Sequence, residues 1–508
     1  MLSVFDQGAH PPCPSSFNLA AHVLGLSELH AEKVALSVVG LSDAQDWTYS
    51  KLKAAVLGTG AGFLNAGLKP GDKVLMRLGN TIEFPIAYLG AIAVGLVPIP
   101  TSSQLTEPEV ANIIQETHPA LILRDPTLAC PVTNIQSVDP KALQDMWFLP
   151  PAKWQLGDPN RLAYIIYTSG TSGVPRAVMH AHRAIWARQM MFKGWYDIGD
   201  TDRLMHAGAF NWTYTLGTGL MDPWTVGATA LIPADGVTPD RFPEIMKQNE
   251  VTIFAAAPGV YRKILKLPEK LILPKLRHGI SAGEKMSPEL HERWTAKTST
   301  QVFEAFGMSE VSTFISSSPV NPTSPENLGR PQTGRHVAVI DQGVPVTMNT
   351  EGTIALHRSD PGLMLGYLNA PEATAARMSG EWFLTGDRGA MDADGQITYL
   401  GRVDDMMNAG GYRVSPIEVE TALMGHVGIT QCAVVDIEVR KDARLIMGFY
   451  TGPTPLEPSE LDDYAKSRLA GYKCPRGYFH VDALPTGPNG KLLRRALRPI
   501  YEALNGQA

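Results

Sequence analysis

Short apolar runs alternate with helical segments through much of the chain. Five runs have strand character: Lys73–Met76, Leu121–Leu123, Ala163–Tyr167, Ala228–Ile232 and Thr252–Ala255. The segments between them place apolar residues at helical spacing, as in YSKLKAAVLGTGAGFLNAG and DRFPEIMKQNE. Such alternation predicts α/β layers built on parallel strands.

The pattern changes between residues 330 and 400, where the short strands HVAVID, GTIALH and QITYL are separated by Gly- and Asp-rich turns. These strands predict a small β-barrel-like subdomain. A fresh α+β pattern follows residues 400–405 and continues to the C-terminus. The predicted architecture is a large N-terminal domain of α/β layers with that subdomain, residues 1–403, followed by a small mobile α+β C-terminal domain, residues 404–508.

Composition and charge narrow the class of protein. The chain of 508 residues is 44% hydrophobic and 19% charged, which is typical of a globular protein with more than one domain. A net charge of −6, with no block of Lys and Arg, argues against a nucleic-acid partner and favours small molecules. The four cysteines are far apart and predict reduced, structural thiols. Neither a secretory signal nor a transmembrane segment is visible, so we expect a cytoplasmic protein.

Residues 164–178 read YIIYTSGTSGVPRAV, an apolar run that ends in hydroxyl residues and glycines. Such a loop offers backbone N–H groups, side-chain hydroxyls and space for a phosphate. It does not match the Walker pattern, because Gly170 is followed by Thr-Ser-Gly and no Gly-Lys-Ser/Thr ending follows. Taken alone, the segment fits a phosphate loop or a polar turn after a buried strand equally well.

Four further segments give the loop its context. They are FGMSE (306–310), TGD (385–387), GRVDDMMNAGGYRVSPIEVE (401–420) and PTGPNGKLLRRALR (485–498). Together with YTSGTSGVPRAV they resemble, in order, the motifs of the adenylate-forming enzymes, the superfamily of acyl-CoA synthetases, peptide-synthetase adenylation domains and firefly luciferase. The resemblance runs from about residue 18 to the end and is strongest to the acyl- and aryl-CoA ligases.

The resemblance implies a two-step reaction. A carboxylate attacks the α-phosphate of ATP, which gives an acyl-AMP and pyrophosphate, and the acyl group then passes to a thiol. Charge stabilisation is the main catalytic requirement. The implied loop residues hold the β- and γ-phosphates: Thr168, Ser169, Gly170, Thr171, Ser172 and Gly173. Arg176 stands where the family usually has Lys and keeps the positive charge, while Ala177 replaces the usual Gly.

The FGMSE and SAGE segments supply the next implied roles. Glu310 resembles the magnesium-linked carboxylate, and Ser309 adds a hydroxyl near the α-phosphate. Phe306 and Gly307 would contact adenine, and Gly283 and Glu284 resemble a segment that lines adenine and the acyl pocket. The alternatives are a helix N-terminal glutamate for Glu310 and a core aromatic for Phe306.

The remaining nucleotide contacts come from the C-terminal part. Asp387 and Arg402 resemble the pair that binds the ribose hydroxyls. Lys491 resembles the lysine that bridges the α-phosphate and the acyl carboxylate. Asp404 resembles the hinge about which the C-terminal domain rotates between the two steps. The alternatives are a turn residue for Asp387, a solvent-exposed lysine for Lys491 and a capping residue for Asp404.

Two more sites follow from the resemblance. The CoA site would use Gly410 and Gly411 in a narrow tunnel, with Arg413, Lys473 and Arg476 near the phosphates; for the last two, a solvated basic patch is an equal alternative. The acyl pocket would be built partly from the segment 206–224, with these residues, which equally fit a core: Phe210, Asn211, Trp212 and Tyr214.

The predicted function is that of an ATP-dependent carboxylic acid–CoA ligase, an AMP-forming acid–thiol ligase for an aromatic or a short- or medium-chain acid. ATP, Mg²⁺ and coenzyme A are the implied cofactors and co-substrates. The alternatives are a stand-alone adenylation enzyme that loads a carrier protein, a luciferase-type enzyme that oxidises the adenylate, and a nucleotide- or acyl-binding homologue without catalysis. A homodimer is compatible with the sequence.

Overall fold

The computed structural model describes residues 1–40, 44–168, 175–234, 236–402, 405, 407–409, 412–440, 443–487 and 492–505. The chain divides into two compact units. The larger unit comprises Val4–Val337 and Leu356–Phe383, and the smaller unit comprises Met1–Ser3, Ala338–Ala355 and Leu384–Ala508. The predicted boundary between residues 403 and 404 lies outside the described residues and stays a prediction.

The largest sheet in the described part of the larger unit has nine strands. In spatial order they are Arg330–Pro331, Ser312–Ser316, Gln301–Met308, His278–Ala282, Ile253–Ala255, Arg203–His206, Thr229–Pro233, Val34–Val39 and Ala44–Thr48. The six strands from Gln301–Met308 to Val34–Val39 are parallel. The prediction of α/β layers with parallel strands is therefore confirmed.

Two smaller sheets complete the β-structure of this unit's N-terminal part. One is parallel, in the order Val97–Pro100, Lys73–Arg77, Leu121–Arg124 and Gln136–Val138. The other is antiparallel, in the order Gly366–Tyr367, Arg176–Ala181 and Leu162–Thr168. The last two strands of this sheet form the hairpin that carries residues 169–175.

Helices cover these sheets. The α-helices of the larger unit are Leu19–Val23, Tyr49–Asn65, Glu83–Ala93, Glu107–Thr117, Pro140–Met146, Ala184–Ala187, Gln189–Met191, Asp222–Thr225, Phe242–Gln248, Pro258–Ile264, Pro288–Thr298 and Pro371–Ala375. Two segments are π-helical, Phe192–Tyr196 and Thr215–Met221, and Pro239–Arg241 is a 3₁₀ turn. Every residue of Glu83–Ala93 is buried, which explains why its sequence is apolar on all sides.

The short strands predicted after residue 330 are present. The described strands of this region are His336–Asp341, Val344–Pro345, Gly352–His357, Met378–Ser379, Trp382–Met391 and Ile397–Arg402, and near the N-terminus there is a short strand, Val4–Asp6. Within the smaller unit, His336–Asp341 pairs with Val344–Pro345 and Trp382–Met391 pairs with Ile397–Arg402, both antiparallel. The division between the units falls inside three strands of this region.

The C-terminal part of the smaller unit has the predicted α+β pattern. Its strands are Met407–Ala409, Tyr412–Val414, Gln431–Arg440, Ala443–Thr451 and Gly477–His480. Its helices are Pro416–Met424, Pro458–Lys466 and Leu497–Asn505, with a 3₁₀ turn at Arg494–Ala496. Helix Pro416–Met424 begins after Ser415, whose hydroxyl accepts a hydrogen bond from the backbone N–H of Glu418.

All four cysteines are free thiols, as predicted: Cys13, Cys130, Cys432 and Cys474. No helix in the described ranges is long and apolar enough to cross a bilayer.

Candidate functional site

A strand hairpin holds both ends of the predicted phosphate loop. Thr168 and Arg176 are opposite each other where the strands Leu162–Thr168 and Arg176–Ala181 end. The loop therefore starts and finishes at one pair of residues. The guanidinium of Arg176 lies 5.1 Å from the centre of the Tyr367 ring, within cation–π distance. Residues 169–173, predicted to hold the phosphates, lie outside the described residues.

Glu310 lies next to this hairpin, in a turn between two strands, so the alternative of a helix N-terminal glutamate is wrong. Its side chain is buried. The Tyr367 hydroxyl donates a hydrogen bond to Glu310 Oε1 at 2.7 Å, and Arg377 Nη2 lies 3.8 Å from the same oxygen. Burial and the neighbouring Glu310 carboxylate raise the pKa of Tyr367, so the phenol stays protonated and donates. Arg176, Tyr367, Glu310 and Arg377 thus form one connected polar chain.

This arrangement fits a magnesium ion that is shared with phosphate. Among the residues that the structure describes, no group of three or more His, Cys, Asp and Glu is placed to hold a metal. Mg²⁺ at nucleotide sites commonly uses one or two carboxylates, with water and phosphate oxygens as its other ligands. Glu310 alone therefore meets the requirement for a protein carboxylate at a magnesium site of this type.

Ser309 and Phe306 are fixed by contacts within the larger unit. The ring Nε2 of His180 donates to the Ser309 carbonyl at 2.7 Å. Phe306 packs edge-on against Phe314, with ring centres 5.5 Å apart. Between them, Gly307 lies at a strand irregularity, and a β-carbon there would approach the carbonyl oxygen of Ser312 to 2.2 Å. Only glycine allows the two strands to lie this close.

The SAGE segment follows the strand His278–Ala282. Gly283 has a φ of +96°, a backbone conformation that glycine adopts without strain. The carboxylate of Glu284 lies 4.0 Å from Arg262 Nη2. The predicted contact of these two residues with adenine stays a prediction.

The predicted acyl-pocket segment is well packed. Phe210 is buried against Phe84, with ring centres 5.6 Å apart, and Asn211 is partly buried. Trp212 packs edge-on against Tyr214, whose hydroxyl donates to the carbonyl of Ile280 at 3.1 Å. The role of these four residues in binding an acid stays a prediction, because their contacts are also those of a core.

A cavity lies beside this segment. Thr213 and Leu216, which the sequence analysis did not single out, line it together with Ser309 from the nucleotide motif. Its other walls are Leu19, Tyr88, Tyr164, Ile166, His180, Ala184, Ile185, Arg188, Met221, Val311, Ser312 and Gly362. The acyl-pocket segment and the FGMSE motif therefore meet at one cavity of the larger unit.

Arg188 is the cationic residue of that cavity, and its charge is matched. The carboxylate of Asp222 accepts from Nε at 2.8 Å and from Nη2 at 2.5 Å. Tyr196, Thr218 and Ser312 provide further hydrogen-bond partners. A buried arginine with a bidentate carboxylate and three hydroxyl partners meets the requirement that a buried charge be paired.

The smaller unit brings Asp387 and Arg402 together. They are opposite each other on paired strands, and Arg402 Nη1 donates to Asp387 Oδ2 at 3.4 Å. Tyr399, which the sequence analysis missed, donates to Asp387 Oδ1 at 2.9 Å. Burial and the neighbouring Asp387 carboxylate raise the pKa of Tyr399, so its hydroxyl remains a donor.

The other predicted residues of the smaller unit are only partly described. Lys473 Nζ lies 2.5 Å from Glu418 Oε1, and exposed Arg476 donates to the Gly471 carbonyl at 3.4 Å. The backbone of Arg413 lies in the strand Tyr412–Val414, and its side chain is outside the described residues. Asp404, Gly410, Gly411 and Lys491 are also outside them.

Sequence reasoning missed Tyr367, Arg377, Tyr88, His180 and Arg188. Tyr367 and Glu310 are 57 residues apart in sequence, and no periodicity or spacing connects them. Tyr367 occurs in an ordinary LMLGYLN segment, and His180 continues a strand pattern. Tyr367 and His180 can be identified as neighbours of the loop only from the strand pairing in the folded structure.

The chain resembles known proteins over nearly its whole length. The sequence model of the AMP-binding enzyme matches residues 27–368, and that of the AMP-binding enzyme C-terminal domain matches residues 418–491. A benzoate–CoA ligase of Thauera aromatica is 30% identical over 534 aligned positions, which cover 98% of this chain and 99% of the relative. A mitochondrial acyl-coenzyme A synthetase of Rattus norvegicus is 28% identical and covers 96% of this chain and 91% of its own.

The fold agrees with these matches. The crystal structure of a benzoate CoA ligase from Burkholderia xenovorans LB400 aligns with a TM-score of 0.84 and 26% identity, over 95% of this chain and 100% of that one. The predicted resemblance and fold class are thereby confirmed. The chain belongs to the family of AMP-binding enzymes.

Proposed function

We propose that this protein is an ATP-dependent carboxylic acid–CoA ligase. It is an AMP-binding enzyme whose relatives are named acyl- and aryl-CoA ligases, so the predicted activity is supported at the level of reaction class. The observation that carries the proposal is the Arg176–Tyr367–Glu310 chain at the base of the loop hairpin. A cation and a buried carboxylate beside the predicted phosphate loop support the binding of a nucleoside triphosphate with its metal.

Each group has a part in the proposed first step. The loop residues Thr168 and 169–173 hold the β- and γ-phosphates and orient pyrophosphate as the leaving group, while Arg176 supplies positive charge. Glu310 would hold Mg²⁺, and the ion would supply positive charge that screens the phosphate oxygens. Tyr367 and Arg377 fix the direction of the Glu310 carboxylate. Ser309 and the adenine contacts of Phe306, Gly307, Gly283 and Glu284 align the α-phosphate.

In the proposal, residues of the smaller unit bind the ribose, assist adenylation and bind CoA. Asp387 accepts hydrogen bonds from the ribose hydroxyls while Arg402 and Tyr399 hold its carboxylate. Lys491 bridges the α-phosphate and the acyl carboxylate, both of which are anionic before bond formation. Rotation about Asp404 then brings Gly410, Gly411 and Arg413 to the thiol step, and Lys473 and Arg476 bind the CoA phosphates.

One assay tests the reaction. The protein is incubated with ATP, Mg²⁺ and a panel of aromatic and aliphatic acids, with and without CoA, while pyrophosphate, AMP and thioester are measured. Acid-dependent pyrophosphate release and a CoA thioester are expected. Pyrophosphate release without a thioester on free CoA would favour the carrier-protein enzyme. Absence of pyrophosphate with every acid would overturn the proposal in favour of a binding protein.

A variant separates the two steps. We expect Lys491→Ala to slow adenylation by at least about a hundredfold while thioester formation from supplied acyl-AMP is largely kept. Lys466→Ala is the matched control, because that exposed lysine pairs only locally with Asp462. Equal loss of both half-reactions in Lys491→Ala would reject the assigned role.

A further inference from the structure

The turn that carries Ser309 and Glu310 is held by hydrogen bonds to its two carbonyl oxygens. His180 Nε2 lies 2.7 Å from the Ser309 carbonyl oxygen, and because a carbonyl only accepts, this ring nitrogen is the donor. The carbonyl oxygen of Glu310 accepts from the backbone N–H of Met364 at 2.8 Å. The backbone of the turn is therefore positioned from outside its own hairpin, by one side chain and one main-chain group.

His180 is itself firmly placed. It is 3% exposed, and its ring stacks on that of Tyr164, with ring centres 4.9 Å apart and an angle of 18° between the planes. It belongs to the strand Arg176–Ala181, the middle strand of its three-stranded sheet, which is paired on both sides. A donor on a stacked ring and a paired strand has little freedom, so its hydrogen bond fixes the position of the Ser309 carbonyl.

The strand of His180 also supports the other groups of the polar chain around Glu310. Arg176 is its first residue, and Tyr367, which donates to the Glu310 carboxylate, lies on a strand paired with it. Glu310 itself lies in a hairpin of the nine-stranded sheet. His180 therefore connects the sheet that carries the cation to the sheet that carries the carboxylate.

This hydrogen bond acts directly beside the proposed magnesium ligand. The Ser309 carbonyl and the Glu310 N–H belong to one planar peptide unit, so the bond from His180 sets the orientation of the backbone from which the Glu310 side chain leaves. Groups that hold a metal ligand in place typically change metal affinity or activity by about 10- to 100-fold when they are removed. A displacement of about 1 Å at a reacting group can cost a similar factor.

We propose that His180 is a positioning residue for adenylation: its hydrogen bond to the Ser309 carbonyl holds the Glu310 carboxylate in register with Arg176. This inference rests on the proposed function, in which Glu310 would hold Mg²⁺, and it adds a residue that acts through Glu310 without touching a substrate. The alternative is a core histidine whose hydrogen bond contributes only to stability. The two roles differ in what the loss of the Nε2 donor changes.

His180→Phe removes the donor and keeps a ring that can stack on Tyr164. The dissociation constant of ATP is measured by titration calorimetry, once with Mg²⁺ and once with EDTA. The ratio of the metal-free value to the Mg²⁺ value gives the gain in affinity that the ion provides. We expect this ratio to fall about tenfold, while the metal-free value changes by less than about twofold. A ratio equal to that of the unmodified protein would overturn the inference, as would an unmodified protein whose ATP affinity does not depend on Mg²⁺.

His180→Gln tests whether the donor is the group that matters. The glutamine amide nitrogen can reach the position of Nε2 and donate to the same carbonyl, but the aromatic stack on Tyr164 is lost. We expect the ATP-affinity ratio to return to within about threefold of the unmodified protein although Tm falls. A glutamine variant with the same low ratio as His180→Phe would overturn the inference.

His278→Phe is the matched control. His278 is also 3% exposed, and its Nε2 donates to the carbonyl of Tyr196 at 2.8 Å, but it lies at the opposite end of its strand from the SAGE segment. We expect Tm to fall as in His180→Phe and the ATP-affinity ratio to stay unchanged. An equal fall of the ratio in both variants would overturn the inference, because a loss of stability alone would then explain it.

Failure of this inference and failure of the proposed function are distinguishable. Absence of acid-dependent pyrophosphate release from the unmodified protein rejects the ligase function. The calorimetric ratio needs no turnover, so it tests the role of His180 separately. With an active enzyme, an unchanged ratio in His180→Phe rejects only the positioning role.

Discussion

The hydroxyl of Tyr367 connects two residues that the sequence singled out separately. It donates to Glu310, while its ring lies under the guanidinium of Arg176. A cation above the ring and a carboxylate at the hydroxyl both act on one side chain. Arg176 therefore contacts Tyr367 in addition to its predicted role at the phosphates.

Removing this hydroxyl should weaken the proposed magnesium site. In Tyr367→Phe the buried Glu310 carboxylate loses a charge-assisted hydrogen bond worth about 1.5–3 kcal/mol. We expect adenylation to fall about tenfold or more and to require more Mg²⁺ for half-maximal rate, measured as pyrophosphate release against Mg²⁺ concentration. In Tyr49→Phe, which loses an equally buried hydroxyl bond to the Ala228 carbonyl, the Mg²⁺ requirement should not change. An unchanged Mg²⁺ requirement in Tyr367→Phe would contradict the positioning role.

Arg176→Lys should keep adenylation active, within about fivefold, because lysine retains the charge and the cation–π contact with Tyr367. Arg176→Ala removes both and should cost about a hundredfold in pyrophosphate release. A complete loss of activity in Arg176→Lys would show that the forked guanidinium itself is required.

Single residues were predictable only where a motif carried them. Asp387 and Arg402 were expected to act together, and paired strands do place them opposite each other. Tyr88 and His180 could not be predicted, because an apolar helix and a strand contain tyrosine and histidine for many reasons. Both residues line one cavity, which only three-dimensional packing reveals.

Among the elements, the hairpin formed by Gln301–Met308 and Ser312–Ser316 fixes the position of Glu310. The two strands come so close at Gly307 that a methyl group there would meet backbone atoms of Ser312 and Thr313. Backbone cannot move aside as a flexible side chain can. The turn that holds Ser309 and Glu310 therefore depends on one glycine two residues before it.

Gly307→Ala should destabilise the protein by about 2–4 kcal/mol and reduce adenylation, since the strands must separate to accept the methyl group. Thermal unfolding and pyrophosphate release measure the two effects. Gly259→Ala is the control: its β-carbon would meet nothing within 4 Å and it lies in the helix Pro258–Ile264, where alanine should be neutral or stabilise by up to about 1 kcal/mol. Similar melting temperatures for the two variants would contradict the close strand contact.

Elements with a clear period were predictable from the sequence. The predicted strand Lys73–Met76 is observed as Lys73–Arg77, and the helix beginning at Tyr49 is observed as Tyr49–Asn65. No sequence pattern predicted the π-helical segment Thr215–Met221. It packs closely against a distant residue: the Arg188 guanidinium carbon lies 2.4 Å from the position that a β-carbon of Gly217 would take.

At the scale of the whole molecule, the larger unit contains a set of neutral histidines that are buried or partly buried. Burial lowers the pKa values of these histidines to about 3 or 4: His22, His180, His182, His206 and His278. In the unfolded chain each would titrate near its ordinary value of 6.5. Folding therefore keeps several imidazoles uncharged at a pH where the unfolded chain is protonated.

Acid should destabilise the larger unit before its carboxylates titrate. Because the folded pKa values lie below the unfolded ones, the unfolded state binds more protons, and stability falls as pH decreases from about 6.5 towards 4. Each histidine contributes up to about 1.4 kcal/mol per pH unit over that window. Chemical denaturation at pH 7.5, 6.5, 5.5 and 4.5 should show a nearly constant free energy of unfolding above 6.5 and a steep decrease below it. A flat profile from 6.5 to 4.5 would show that these histidines are not buried as neutral groups.

The domain organisation was predicted in outline from changes in pattern. Parallel α/β layers, a region of short strands and a C-terminal α+β region are all present. The smaller compact unit includes Ala338–Ala355 and Leu384–Arg402, and the predicted domain boundary between residues 403 and 404 stays a prediction. A change of period along the chain marks where new elements begin, but it carries no information about which elements share a core.

The pairing of Thr168 with Arg176 has a consequence for how the loop between them can evolve. Neighbouring strands are about 5 Å apart, so the sheet sets the distance between the loop's ends whatever residues it contains. Adding one residue would cost only a few tenths of a kcal/mol in closure entropy, which folding would tolerate. The same insertion would change the direction of every following N–H group. For the proposed phosphate loop, a change of length should therefore affect ligand binding far more than the free energy of unfolding.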